Sequence, residues 1–192
     1  MSVQERKERE RAERERLIVA TARELAEQQG WEAVTTRRLA ERIEYSQPVL
    51  YSHFRGKQEI IGAVALEGAA EMAAAVRAAT SAATSTRGRV TALARAYLDF
   101  AERNPALYDA MFQLDGGLAF AQEDTPEPLK NAFAALLESL SEVAGDGVHP
   151  GLFTELFWAA LHGIATLTRA GRLPPEYVEQ RVELLVDRLA VL

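Results

Sequence analysis

The sequence predicts an all-helical protein of about nine helices. Ala, Leu, Glu and Arg dominate it, the β-branched residues are scattered without period-two alternation, and apolar residues recur every three or four positions between Gly and Pro stops. No stretch reads as a strand. The first helix runs to Gln29, with Leu17, Thr21, Leu25 and Ile18, Ala22 on one face and Gly30 as its stop. Its charged beginning offers Glu5/Arg9 and Glu10/Arg14 as i, i+4 pairs, each worth a few tenths of a kcal/mol. This part reads as a solvated helical extension, with an arm that touches DNA as the alternative.

A helix over Thr36–Ile43, a turn at Glu44-Tyr45-Ser46 and a second short helix through Phe54 follow, and Gly56 then breaks the chain. Gln58 to about Ala79 reads as one long alanine-rich helix, a connector over residues 58–80 between residues 1–57 and the rest of 58–192. Arg89–Arg103 comes next. Asn104-Pro105 has the form of an N-cap with proline at the first helical position, opening a short helix through Phe112. Leu114–Asp124, with Gly116-Gly117, reads as a flexible loop. Thr125-Pro126 starts a helix that ends near Gly145 to Gly147, and helices over about Gly151–Ala170 and Pro175–Val191 complete the chain.

Composition narrows the function. The 192 residues include no cysteine, which removes disulfides, thiolate metal sites and a cysteine nucleophile together. No run of about 18 apolar residues exists for a membrane span, and the N-terminus lacks the apolar segment of a secretory signal, so a cytoplasmic protein without membrane partners is expected. The net charge of −6 is unevenly spread. Residues 1–60 hold 12 Lys+Arg against 11 Asp+Glu, the remainder 10 against 17, so only the first part can approach a polyanion without repulsion.

The stretch SQPVLYSHF (46–54) is the informative one. At about 100° per residue Leu50 and Phe54 share one side, opposite Pro48 and Ser52, which are flanked by Val49 and Tyr51. Leu39, Ala40 and Ile43 make a matching stripe on the preceding helix, so the pair packs as a helix-turn-helix whose outer face is polar, aromatic and free of acid.

Residues 17–64, and TTRRLAERI…QPVLYSHF above all, resemble the DNA-binding domain of the tetracycline-repressor (TetR) family, many positions falling in register. The resemblance implies that Thr36 caps the second helix and binds a phosphate of a double-stranded DNA operator. It implies that Arg37 reads guanine, Gln47 adenine, and Pro48 with Val49 thymine methyls. Tyr51, Ser52 and His53 would hold backbone phosphates, and Lys57 would add a charge at the start of the fourth helix. Tyr51 and His53 also admit a packing role, and Arg38 reads as a solvated charge. Two features depart from the pattern: Glu44 stands where the family usually has glycine, and Val49 and Ser52 differ from the family's namesake, so its operator does not transfer.

ARAYLDFAERNPALYDAMF (94–112) and LFWAALHGIATLTRAGRL (156–173) resemble a C-terminal regulatory domain of one branch of the family, named for Trp-His-Gly positions, here Trp158, His162 and Gly163. An inducer cavity would be lined by Phe100, Tyr108, Met111, Phe112, Phe157 and Trp158 with His162 as a polar contact; an ordinary core with a hydrogen-bonded histidine is the alternative. Ala159 and Gly163 form a smooth face against which another helix could pack. In the family the last two helices build the homodimer interface, which here implies Gly163 with Val178, Val182, Leu185 and Leu189; that stripe also suits a helix covering its own core.

The resulting expectation is a regulator, most often a repressor in this family, that binds a palindrome as a homodimer and is released by an unknown small-molecule inducer, with no cofactor. An all-helical carrier or enzyme is the competing reading. Yet His53, His149 and His162 are far apart in sequence, and neither an HExxH motif nor a Gly-rich phosphate loop exists.

Overall fold

The computed structural model describes residues 2–145 and 147–189. Among these residues the secondary structure is helical throughout: α1 (Val3–Gln29), α2 (Thr36–Arg42), α3 (Gln47–Tyr51), α4 (Lys57–Ser81), α5 (Thr86–Arg103), α6 (Pro105–Phe112), α7 (Glu127–Leu140), α8 (Pro150–Arg169) and α9 (Val178–Leu189), with short 3-10 turns at Trp31–Ala33, Ser141–Val143 and Pro175–Tyr177.

Helix α1 opens with a capping box, in which Ser2 Oγ accepts from Glu5 N at 3.1 Å while the Glu5 carboxylate accepts from Ser2 N at 2.6 Å. Ion pairs with arginine on the N-terminal side line its exposed first half: Arg6–Glu10 at 3.8 Å, Arg9–Glu13 at 3.7 Å and Arg11–Glu15 at 2.9 Å. The predicted partnership of Glu10 with Arg14 is replaced by that with Arg6. Gly30, at φ 79°, ends α1.

The chain forms two compact units. The first contains the described residues up to Gly68 together with Asn104–Pro126, the second Ala69–Arg103 together with the described residues from Glu127 onward. Packing therefore does not break at residue 57. In the first unit α6 is fastened to α1: Glu27 accepts from Ala106 N at 3.1 Å and Leu107 N at 3.0 Å, Trp31 Nε1 donates to Ala106 O at 2.7 Å, and Arg23 donates to Asn104 Oδ1 at 3.1 Å. A carboxylate on two first-turn N–H groups satisfies donors that the helix cannot, and its charge complements the helix dipole. Asn104 is the N-cap residue with Pro105 opening the helix, as predicted, but its side chain makes no cap bond; Glu27 from a distant helix takes the first-turn donors instead.

The 114–124 segment is irregular, as its glycines predict, and its start is held by side-chain hydrogen bonds. Gly117 N donates to Asp115 Oδ1 at 2.8 Å and Gln58 Nε2 to Asp115 Oδ2 at 2.8 Å, and these bonds, the backbone one first, hold the Asp115 carboxyl below its usual pKa. Gly62 of α4 lies so close to Gly116 that a Cβ at residue 62 would sit 2.4 Å from Gly116 O.

In the second unit α5 packs against α7, α8 and α9. Tyr97, Leu93, Phe157 and Leu161 are fully enclosed there, and Trp158 Nε1 donates to Tyr97 Oη at 3.0 Å. His149 caps α8, its Nδ1 accepting from Gly151 N at 3.1 Å.

Candidate nucleic-acid interface

Helix α2 begins because Thr35, with extended backbone (φ −129°, ψ 151°), turns its hydroxyl onto Arg38 N at 3.2 Å. The cap is thus Thr35 and not Thr36, as predicted. Thr36 is instead the first helical residue, and its hydroxyl lies 3.3 Å from Tyr51 Oη, joining the start of α2 to the end of α3.

The end of α2 resolves the question raised by Glu44. Tyr45 N bonds to Ala40 O at 2.9 Å and Glu44 N to Glu41 O at 3.4 Å, the paired pattern that requires a left-handed residue between them. Glu44 takes that conformation at φ 58°. The turn keeps the shape a glycine would give it, at a conformational cost of about 1–2 kcal/mol.

Helix α3 is only five residues long and depends on one anchor. Leu50 is fully buried, while Gln47, Pro48, Val49, Tyr51 and Ser52 are exposed, Tyr51 at 49%. Ser46 N-caps α3 through its backbone carbonyl, which accepts from Val49 N at 3.1 Å and Leu50 N at 3.2 Å; its hydroxyl makes no cap bond. Ser52 Oγ donates to Val49 O at 2.6 Å, leaving the hydroxyl's lone pairs outward and its proton engaged.

The predicted polar contacts differ in availability. Arg37 is exposed, with Nε on Glu41 Oε1 at 2.9 Å, a hydrogen bond that pushes the guanidinium pKa up. Such an exposed pair is worth little and yields readily to a stronger acceptor. Lys57 Nζ donates to Trp31 O at 2.6 Å, which uses one of three ammonium donors. His53 is a correction: its side chain is 5% exposed and its Nδ1 lies 3.3 Å from Glu15 Oε1, so the imidazole faces α1 instead of a phosphate. The Arg11 hydrogen bond, ahead of the contact with His53, holds the Glu15 carboxyl below its ordinary pKa. Arg38, read as solvated, donates to Ala33 O at 3.1 Å and Gln29 Oε1 at 2.8 Å.

The other predicted residues divide between the units. Tyr108, Met111 and Phe112 belong to the first, with the Tyr108 and Phe112 ring centroids 4.7 Å apart. Phe100, Phe157, Trp158 and His162 belong to the second, where Phe157 is fully buried and His162 is half-buried with its pKa lowered by burial and by Arg169. The predicted set is therefore not gathered within one unit. A wide-mouthed hollow of about 480 Å³ in the second unit involves other residues, Ala70, Ala73, Ala74, Arg77, Glu127, Pro128 and Asn131. Arg77 is engaged there by Glu138 at 2.9 and 3.0 Å, which lowers the carboxyl pKa of Glu138.

The predicted interface stripe on α9 lies partly within the subunit's own core. Val182 is fully buried within its own subunit, and Val178 and Leu185 border that core. The side chain of Leu189 lies outside the described residues. On α8 and α9 the large apolar side chains that do face solvent are Leu152, Leu156 and Leu167, exposed at 64%, 58% and 45%, together with Leu184. With Gly163 the three leucines of α8 form one stripe at 4, 7 and 4 spacing. Counting period on α9 alone could not tell which of its two faces turns inward.

A short helix propped on a buried leucine, an exposed polar-aromatic face and a paired helix behind it define a helix-turn-helix DNA-binding protein. Comparison with known proteins agrees. Residues 18–64 match the family model described as bacterial regulatory proteins, tetR family, and residues 90–189 match the Tetracyclin repressor-like C-terminal domain. The chain belongs to the TetR family of transcriptional regulators, a family of DNA-binding proteins and not of enzymes.

It is similar to the uncharacterized HTH-type transcriptional regulator YobS of Bacillus subtilis, 32% identical over 96 residues, covering 50% of each chain. It is similar to the class C tetracycline repressor protein of Escherichia coli, 48% identical over 48 residues, 25% of this chain and 22% of that one. The match thus spans half or less of these relatives' lengths. A solved structure of a protein with unknown function from Rhodococcus sp. RHA1 superimposes with a TM-score of 0.75 at 26% identity, covering 92% of this chain and 93% of the other. Among the described residues no helix is long and apolar enough to cross a membrane.

Proposed function

We propose that the protein is a ligand-responsive repressor that binds a palindromic operator as a homodimer in the cytoplasm. The observation that carries this reading is the exposed row Gln47, Pro48, Val49, Tyr51 and Ser52 around a fully buried Leu50. Side chains so placed on a short helix reach base edges in the major groove, while Thr36, Tyr51 and Lys57 take phosphates and set register. Arg37 reads guanine by exchanging Glu41 for the O6/N7 pair.

The dimer forms through Leu152, Leu156, Gly163 and Leu167 of α8 with Leu184 of α9, whose apolar side chains would otherwise stay in water. The regulatory part is of the Trp-His-Gly type, with Trp158, His162 and Gly163 in those positions, and the inducer is a small molecule recognised by the second unit's aromatic residues Phe157 and Trp158. Residues 1–57 serve DNA reading and residues 58–192 regulation. The message passes through α4, which contributes residues to both units.

Selection of bound sites from a random DNA pool tests the proposal. A palindrome with two equal half-sites is the expected product; sites without two-fold symmetry, or no enrichment at low salt, would refute it.

A further inference from the structure

Helix α1 is longer than its domain needs. Its buried residues begin at Ile18, and residues 3–14 are exposed along their whole length. Within this extension most charges are matched: Arg6 with Glu10, Arg9 with Glu13 and Arg11 with Glu15. Lys7 and Arg14 have no ion-pair partner among the described residues.

The placement of these cations is not random. At about 100° per residue Lys7, Arg11 and Arg14 fall within about 60° of one another, in the same sector as buried Ile18 and Leu25, and no acidic residue of the extension enters that sector. The face that packs inward along the second half of α1 therefore continues past the domain edge as a basic stripe. Its position relative to the reading helix is fixed by Glu15, which accepts from Arg11 Nε at 2.9 Å and lies 3.3 Å from Nδ1 of His53, two residues beyond Tyr51. Arg11 is thus one carboxylate away from the end of the DNA-reading element.

We infer that the basic stripe Lys7, Arg11 and Arg14 on the N-terminal extension of α1 is a second DNA-contact surface, which takes backbone phosphates flanking each half-site. This rests on the DNA-binding reading above and extends it. Two observations select the sugar-phosphate backbone as the occupant. The Arg11–Glu15–His53 contacts tie the stripe to the chain just beyond α3, and the stripe's own side chains are all cationic in a protein whose net charge is −6. Lys7 to Arg14 spans about 10 Å of helix, about three base-pair steps of duplex. These side chains carry no base-reading geometry, so the contacts add affinity without altering sequence preference.

The test compares two duplexes carrying the selected palindrome, one trimmed at the half-site edges and one with about ten extra base pairs on each side, titrated with full-length protein over a range of salt. For the wild type the flanked duplex should bind more tightly and with the steeper salt dependence. The Lys7→Ala/Arg11→Ala/Arg14→Ala variant should lose at least tenfold on the flanked duplex, its log–log salt slope falling by about 2.7 per subunit, and should match wild type on the trimmed one. Lys7→Ala/Arg14→Ala leaves the Arg11–Glu15 pair intact and should lower the slope by about 1.8 per subunit. Arg6→Ala/Arg9→Ala, on the other side of the helix, should change neither duplex. Equal wild-type affinity for both duplexes, or unchanged slopes in the folded variants, would overturn the second surface alone; wild type that binds no duplex would overturn the DNA-binding reading as well.

Discussion

Single residues decide how the reading helix is presented. Glu44 occupies a left-handed position that glycine would fill without strain. Removing the strain returns about 1–2 kcal/mol, while glycine's added backbone freedom costs about 0.5–1, so Glu44→Gly should raise stability by up to about 1.5 kcal/mol, at about 2–4 °C of melting temperature per kcal/mol. It should also tighten binding on every DNA sequence, because a carboxylate beside the phosphates is lost; a melting temperature that falls would show that the turn carries no strain. Gln47→Ala should cost about 1–3 kcal/mol at one base pair only, whereas Lys57→Ala should weaken all sequences alike and lower the salt slope by about 1. Binding titrations on single-substitution operators separate the two. His162 supplies a pH signature. Burial first, then Arg169, depresses its pKa below 6.5, so below pH 6.5 the unfolded chain takes up a proton that the folded chain refuses. Stability should fall as the pH drops through that window until the folded-state value is passed, and His162→Gln should flatten that part of a denaturation profile.

At the scale of elements, the helices were legible in the sequence and several of their fastenings were not. The bounds of α6 follow from Pro105 and Phe112, and the α2–α3 pair from the Leu39, Leu50 and Phe54 spacing, since these are local signals. The cap of α6 by Glu27 joins residues 79 and 80 positions apart, and nothing in the pattern around Asn104 announces it. His53 was ambiguous for the same reason: its partner Glu15 is 38 positions away. Gly62 shows what such distant packing demands. In an open helix Gly→Ala would stabilise by about 1 kcal/mol. Here the new methyl would meet Gly116 O at 2.4 Å, a backbone atom fixed through Asp115 and Gln58. Gly62→Ala should therefore destabilise by about 1–3 kcal/mol, measurable as a lower denaturation midpoint. A midpoint that rises would mean that the 114–124 segment gives way freely.

For the whole molecule, the proposed palindromic operator makes two-fold symmetry the requirement that a single chain cannot meet. A lone reading head recognises half a palindrome, and affinity for the full site comes from two heads linked at fixed spacing. Under that proposal the solvent-facing stripe of α8 is the self-complementary surface, in which three leucines flank Gly163, whose missing side chain allows close helix approach. The inward stripe of α9 is already consumed by its own core, as fully buried Val182 and Val186 show, and each half-exposed leucine of the outer stripe has about 1–2 kcal/mol to gain from burial. Placing a charge there should cost the dimer without touching the fold. Leu156→Arg is expected to sediment as a monomer at micromolar concentration, to keep the wild-type helical spectrum, and to bind the palindrome no better than an isolated half-site. The same substitution at buried Leu161, one helical face away, should unfold the protein instead. A Leu156→Arg protein that stays dimeric would move the interface to a different surface.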